Sequence, residues 1–136
     1  MTEELITPEN LSKEYLKSIL DAACMDTSYD SDGDLMVKED IKCFVKPTKD
    51  MSWIRMFTIF GVKEESSRLA RLECVNKIND EYLIVRASVT DNDSLFFDYQ
   101  IPVAGGITKK AFVIALKRFC SIPRDAVSEH GVNVVE

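Results

Sequence analysis

The amino-acid sequence predicts a two-layer α+β sandwich in which three helices cover one face of a five-stranded antiparallel sheet. Three segments carry apolar residues at steps of three and four, which is typical of amphipathic helices. Five segments alternate in character or form short apolar runs between turn residues, which is typical of strands. Their order is α-β-β-β-α-β-β-α. Helices placed among hairpin-connected strands in this way favour a sheet with all its helices on one side.

The length of 136 residues allows one domain with one hydrophobic core. We expect residues 1–136 to form a single domain, with the ordered core over residues 8–125. Hydrophobic residues make up 46% of the chain and charged residues 29%, a balance that is typical of globular chains that fold unaided.

The first helix is predicted over residues 8–24. Thr7 can cap its free amides, Pro8 suits the first helical position, and Ile6 can pack against Leu11. The predicted buried face of this helix consists of apolar residues that recur at helical spacing: Leu11, Tyr15, Leu16, Ile19, Leu20, Ala22 and Ala23.

Three strands are predicted to follow as a meander. Residues 35–38 and 41–46 lie on either side of a turn at Glu39 and Asp40, and a short connection leads to a long strand over residues 52–61. The long strand carries apolar side chains of both parities. Such a strand is either buried on both faces or covered on one of them by a partner.

The second helix is predicted over residues 63–79, with one buried row: Leu69, Leu72, Val75 and Ile78. Two strands over residues 82–89 and 95–103 are joined by an acidic turn and should pair as a hairpin. The second of these strands alternates through Leu95, Phe97, Tyr99, Ile101 and Val103.

The last helix is predicted to open at Thr108 and to fade near Pro123, with a further turn before Gly131. Ile107 can pack against Phe112 across its first turn. We expect residues 132–136 to be loose, as chain ends commonly are.

The strands carry more large apolar side chains than one helical layer can cover. Alternation groups Trp53, Phe57 and Ile59 on one face of the long strand and Ile54, Met56 and Phe60 on the other, and whichever face meets the helices, large apolar groups remain on the other. We assign five residues to the candidate interface: Trp53, Phe57, Ile59, Tyr82 and Ile84. Exposed apolar surface of this kind marks an interface, so we expect homodimerisation or the binding of a client protein segment. The alternative, in which the protein's own loops cover this face, stays open.

A calcium-binding loop is the second hypothesis. Ser28, Asp30, Asp32 and Glu39 stand at the first, third, fifth and twelfth positions of an EF-hand-like pattern, with Gly33 at the sixth. Ser28 lacks the carboxylate of a strong loop, and a strand follows where a helix is required. A hairpin turn at the Asp32-Gly33 pair is the favoured interpretation.

Catalysis has few candidate residues in this sequence. His130, the single histidine, falls near the predicted loose end, where no partner would hold it. Nucleophile motifs, zinc spacings and nucleotide-binding fingerprints do not occur. We therefore expect no enzyme activity, no catalytic residues and no cofactor.

Net charge and cysteine spacing restrict the classes of partner and the cellular compartment that we expect. A net charge of −6 argues against nucleic acid and against a membrane surface as partners. The first residues lack the basic and apolar regions of a signal peptide, which favours the cytoplasm. Four widely spaced cysteines, Cys24, Cys43, Cys74 and Cys120, are interpreted as small core residues rather than as disulfides.

Several short motifs resemble the YbjN family of bacterial proteins. They are the Asn76–Asn79 segment, the acidic turn at residues 91–93, the Gly105-Gly106-Ile107-Thr108 segment, and a closing helix with Phe112 and Phe119. The first helix and the Asp32-Gly33 hairpin stand in the family's order. The resemblance covers residues 8–125.

The resemblance implies a fold like that of type III secretion chaperones, which are small, acidic and often dimeric proteins. It also implies a regulatory role in sensory transduction and provides no catalytic residues. The sequence as a whole therefore predicts a non-catalytic, chaperone-like binding module that pairs with itself, with a client protein, or with both.

Overall fold

The computed structural model describes residues 4–136, and their fold is a mixed α+β sandwich, as predicted. Six strands form the main antiparallel sheet, two short strands form a ribbon, and helices cover one face of the sheet. The elements are β1 (Leu5–Ile6), α1 (Lys13–Ala22), β2 (Asp26–Tyr29), β3 (Leu35–Lys38), β4 (Lys42–Pro47), β5 (Trp53–Gly61), α2 (Arg68–Glu81), β6 (Arg86–Val89), β7 (Ser94–Pro102), β8 (Ile107–Thr108), α3 (Lys109–Cys120) and α4 (Pro123–His130).

The main sheet has the strand order β2-β3-β4-β5-β7-β6, and every neighbouring pair is antiparallel. It has six strands rather than the five predicted, because residues 26–29 pair with β3. Strand β2 was not recognised in the sequence because its residues are polar or half-exposed at the sheet edge. Strands β5 and β7 pair along their full lengths and form the centre of the sheet.

The hydrophobic core lies between the helices and one face of the sheet. Its largest fully buried side chains from the sheet include Ile54, Met56 and Phe97, and those from the helices include Leu16, Ile78, Phe112, Leu116 and Phe119. The side chains of β5 alternate accordingly, with residues 54, 56 and 58 buried and residues 53 and 59 exposed. No helix within residues 4–136 has both the length and the apolar composition of a membrane-spanning helix.

The first helix starts later than predicted, at Lys13, and Ser12 caps it through a bond from the Tyr15 amide. The predicted cap, Thr7, instead donates its backbone amide to Asn10 Oδ1 at 2.8 Å in a separate turn. The physical reason is that Leu5 and Ile6 pair with Thr108 and Ile107, which holds the chain extended just before that turn.

Helix α2 also starts later than predicted, and Leu69 and Leu72 are exposed rather than buried. Arg71 lies inward instead. Its guanidinium donates to the Lys63 carbonyl oxygen at 3.1 Å and to Ser66 Oγ at 2.9 Å, and its Nη1 lies 3.0 Å from an Asp93 carboxylate oxygen. Because these bonds satisfy the cation, a partly polar face of the helix can pack inward.

The strand predicted over residues 82–89 begins only at Arg86. Helix α2 continues through Glu81, Tyr82 forms its C-terminal cap, and Ile84 has a φ of 61°, outside the strand region. Leu83 is exposed. Residues 82–85 therefore link α2 to β6, where alternation alone predicted a strand.

The end of the chain is ordered, contrary to prediction. Helix α3 opens with Thr108 as its cap, as predicted, and α4 forms a full helix where one further turn was expected. Residues 134 and 135 are buried, and Val135 pairs with Val62 beside the end of β5. The Lys63 amide donates to the Val134 carbonyl oxygen and the Glu136 amide to the Gly61 carbonyl oxygen.

Candidate functional site: the outer face of the sheet

The face of the main sheet opposite the core, here called the outer face, has no helical layer within residues 4–136. Residues that pair directly across antiparallel strands point to the same side, so the strand register defines rows on this face. The middle row crosses all six strands and consists of Ser28, Met36, Phe44, Phe57, Asp98 and Arg86. Strands β2 to β5 follow one another in the chain, and β6 and β7 come from a later part of it.

Aromatic rings pack together along the middle of the outer face. Phe44 and Phe57 stack with their ring centroids 5.2 Å apart, and Phe96 lies 5.5 Å from Phe57. The Arg55 guanidinium lies 5.4 Å from the Phe57 centroid, within the range of a cation–π contact. The aromatic cluster of Phe44, Phe57 and Phe96 is half-buried, and Arg55 also lies over the Phe96 ring, 5.9 Å from its centroid.

Cationic side chains flank this cluster on both sides. Lys38 lies directly opposite Lys42 on one side, and Lys46 lies directly opposite Arg55 on the other. Like charges that face each other across strands destabilise a sheet. Two such pairs on one face therefore concentrate positive charge at a cost to stability.

The outer face has the opposite sign of charge to the chain as a whole. Its strands place five cations there, against the two acids Asp26 and Asp98, for a net charge of +3. The whole chain has a net charge of −6, so the remainder carries −9. Lys46 also reaches Asp34 at the rim, with Nζ 3.6 Å from the carboxylate.

Asp98 is a buried carboxylate within this face and is only 1% exposed. Arg86 binds it through two bonds, from Nε at 2.8 Å and from Nη2 at 2.7 Å, while Arg55 Nη2 lies 3.8 Å away. The hydrogen bond to Asp98 and its charge raise the pKa of Arg86. The Arg86 side chain stays 69% exposed and extends toward solvent from its buried partner.

The structure places three of the five predicted interface residues on the outer face. Trp53 is 41% exposed, Ile59 is 53% exposed, and Phe57 lies in the aromatic cluster between them. Their shared face follows from the alternation of β5, which is the signal that predicted it.

Tyr82 and Ile84 do not lie in a strand, contrary to the prediction that a strand over residues 82–89 carries them. The Tyr82 hydroxyl donates to Glu129 on α4 at 2.8 Å, on the helical side of the sheet. Ile84 lies in the link between α2 and β6, at a cavity of about 310 Å³ that Arg86, Asp98 and Gln100 also line. The physical reason is the longer α2, which removes both residues from the strand.

The four residues of the calcium hypothesis are not gathered around one point. Asp30 Oδ1 accepts bonds from the amides of Asp32 and Asp34, closing the β2–β3 turn, and Gly33 has a φ of 80°. Ser28 lies within β2, and Glu39 follows β3 at its opposite end. A strand of four residues, roughly 13 Å long, separates Glu39 from the turn. This geometry is that of a hairpin turn, which is the interpretation that the sequence favoured.

One group within residues 4–136 could hold a metal ion, and the sequence did not indicate it. Glu81, Glu129 and His130 each offer a ligand atom, and these atoms lie within 4.8 Å of one another. His130 contacts Glu81 directly, so it has the fixed partner that its predicted loose position excluded. Its placement depends on α2 packing against α4, which no local pattern reveals.

The cationic rows are the part of the outer face that sequence reasoning missed. Lys42 and Lys46 stand on either side of Phe44 at alternate positions, a signal that is present in the sequence. The acidic net charge of the chain concealed it. Strand register was needed to bring these residues next to Lys38 and Arg55.

Comparisons with known proteins agree with the fold. The model of the YbjN family, described as "Putative bacterial sensory transduction regulator", matches residues 12–129. No curated protein sequence matches the chain.

Three solved structures share the fold at low identity. YbjN from E. coli, described as a putative transcription regulator, is 16% identical with a TM-score of 0.76, covering 93% of this chain and 96% of its own. The Yersinia pestis type III secretion chaperone SycH, in complex with a stable fragment of YscM2, is 14% identical with a TM-score of 0.54. The match covers 85% of this chain and 97% of the SycH chain. An uncharacterised Methanothermobacter thermautotrophicus protein is 17% identical with a TM-score of 0.60, covering 89% and 97%.

The fold defines a class: small α+β domains with helices on one face of an antiparallel sheet, a fold shared with a secretion chaperone. Within that class the family match covers most of the chain. The chain belongs to the YbjN family.

Proposed function

We propose that this protein is a non-catalytic binding module that recognises a protein segment on the outer face of its sheet. One observation carries the proposal: this face has no helical layer within residues 4–136, yet it carries the exposed Trp53 and Ile59 beside the half-buried aromatic cluster. Covering apolar surface contributes roughly 25 cal/mol per Å², so a partner that fits the face is stabilised there.

Two facts support a protein as the partner. The family is described as a regulator of sensory transduction, a role that requires contact with other molecules. The SycH structure, which has the same fold, contains a fragment of a second protein. A second copy of this chain can also use the face, sheet to sheet, and the four free cysteines favour the cytoplasm as the compartment.

A pair of matched substitutions tests the proposal. Ile59→Asp places a charge on the outer face, whereas Ile114→Asp places the same charge on α3 at a residue of similar exposure, 57% against 53%. We expect binding to be lost in Ile59→Asp and kept in Ile114→Asp. Light scattering measures self-association, and affinity capture followed by reconstitution with the purified partner measures client binding.

Two results would contradict the proposal. The first is a wild-type protein that is monomeric and binds no partner through a contact that Ile59→Asp weakens. The other is equal binding by both variants, which would place the interface elsewhere. Thermal unfolding of each variant shows that any loss of binding is not a loss of fold.

A further inference from the structure

We infer that the partner segment is an acidic amphipathic helix of another protein, which lies along the aromatic cluster between the two cationic rows. This inference rests on the function proposed above and specifies the chemistry of the partner. The cations are placed in two opposed pairs, Lys38 with Lys42 and Lys46 with Arg55, on opposite sides of Phe44 and Phe57.

The distance between the rows fits a helix. Residues on one face of a strand follow one another at about 7 Å, so Lys42 and Lys46 are about 14 Å apart at their Cα atoms. A helix with its side chains is about 10–12 Å wide. An apolar stripe along such a helix would contact the aromatic cluster, and acidic residues on its two flanks would each reach a cationic row.

An extended segment fits less well. It presents a single file of alternate side chains to the face, so its acidic and apolar groups would compete for the same positions. A helix also completes the layering of the fold, because helices already cover the other side of the sheet. Six strands about 4.8 Å apart span about 24 Å, which a helix of about 16 residues crosses.

Charge argues for an acidic partner rather than a second copy. Two copies placed face to face would bring their cationic rows together, and like charges across an interface cost free energy. Asp26, opposite Lys38, and Asp34, 3.6 Å from Lys46, offset part of the repulsion within the opposed cation pairs, and acidic flanks would offset more of it. Asp98, the buried acid of this face, is occupied by Arg86 and does not neutralise the lysines.

Single-stranded nucleic acid also combines negative charge with stacking rings, so it is the main competitor. A nucleic acid longer than the face would meet the remainder of the chain, which is strongly acidic. A short helix is confined to the cationic face and avoids this repulsion.

Labelled synthetic probes test the inference by fluorescence anisotropy. The first is a helical peptide of about 16 residues with a leucine stripe and glutamate on both flanks, long enough to cross the sheet. The second keeps the leucine stripe and replaces glutamate with lysine, and the third is a single-stranded oligothymidine. Each is titrated with the wild type, with Lys42→Glu/Lys46→Glu, and with Lys110→Glu/Lys117→Glu, which reverses two exposed lysines on α3.

We expect the glutamate peptide to bind the wild type, and to bind less tightly as ionic strength rises. Reversal at Lys42 and Lys46 should weaken it roughly tenfold or more, and the α3 control should change it by less than about twofold. Tighter binding of the lysine peptide or of oligothymidine would overturn the inference, as would equal binding by both double variants.

The outcomes separate the inference from the function on which it rests. If no peptide binds but the protein associates through a contact sensitive to Ile59→Asp, the acidic helix is excluded and the binding face stands. If no peptide binds and no such association occurs, both are excluded. Circular dichroism of the double variants shows whether they keep the native fold.

Discussion

The bidentate contact between Arg86 and Asp98 is asymmetric, because the carboxylate is buried and the guanidinium is largely exposed. Removing the cation leaves Asp98 with weaker partners, Arg55 Nη2 at 3.8 Å and Gln100 Nε2 at 3.5 Å. We predict that Arg86→Ala lowers the free energy of unfolding by about 2 kcal/mol, because the buried carboxylate keeps only its weaker partners. Urea unfolding measures the change.

The same asymmetry provides a control. Adding Asp98→Asn to Arg86→Ala should recover part of the loss, because a neutral amide costs less to bury than a charge. Lys42→Ala, which removes an exposed cation that lies opposite another cation, should change stability little or raise it slightly. A cost for Lys42→Ala as large as that for Arg86→Ala would contradict this account.

The ionisation of the Tyr82 hydroxyl reports on the contact between α2 and α4. Its hydrogen bond to Glu129 raises the pKa of Tyr82 to about 12. A raised pKa means that the contact stabilises the fold fully below pH 10 and that this contribution is lost as the pH rises through about 12. Burial also raises the pKa of Tyr15, so we predict a late-ionising tyrosine component in an ultraviolet absorbance titration that is smaller in Tyr82→Phe.

The control for this titration is Glu129→Gln, which keeps the size of the side chain and removes its charge. In that variant the late component should move toward the ordinary range, because the carboxylate that opposes ionisation is gone. A late component of unchanged size in Tyr82→Phe would show that Tyr82 does not contribute to it.

At the level of elements, the C-terminal residues 132–136 pack across the end of β5. Val134 and Val135 are buried, and backbone bonds join the segment to Gly61 and Lys63. We predict that deleting residues 132–136 lowers the free energy of unfolding by about 3 kcal/mol, through two lost valine contacts and the lost bonds. Thermal unfolding should show a decrease of roughly 10 °C.

The control for the deletion is Val132→Ser, since Val132 is 63% exposed and adds little to the core. Its effect should stay below about 0.5 kcal/mol. An unchanged melting temperature after the deletion would instead support the loose end that the sequence predicted.

At the level of the whole molecule, cysteine burial reports on the integrity of the core. Cys24 is exposed, whereas Cys43, Cys74 and Cys120 are buried. Hydrogen bonding with Cys120 and burial raise the pKa of the Cys43 thiol, and burial raises the pKa of the Cys74 thiol. Both effects lower the fraction of reactive thiolate.

We therefore predict that one thiol reacts quickly with a disulfide reagent in the native protein and that all four react after unfolding. Cys24→Ser should remove the fast phase and leave the slow phases, whose rates report opening of the core. Two or more fast thiols in the native protein would contradict the packing of β4, α2 and α3.

Local interactions account for what the sequence predicted correctly. The cap at Thr108, the alternation of β5 and β7, and the hairpin at Asp32-Gly33 each depend on residues a few positions apart, so a short window contains the determinants. The same patterns determine the α+β class and the shared face of Trp53, Phe57 and Ile59. These features are properties of the sequence by itself.

Contacts between residues that are far apart in the sequence determine the features that the sequence did not predict. Helix α1 starts at Lys13 because β1 pairs with a strand about 100 residues away, and the chain end is ordered because Val135 meets Val62. The two cationic rows exist only through the register of β3, β4 and β5. A one-residue shift in pairing would move every side chain of a strand to the other face, so only the tertiary structure could bring Lys38, Lys42, Lys46 and Arg55 around the aromatic cluster.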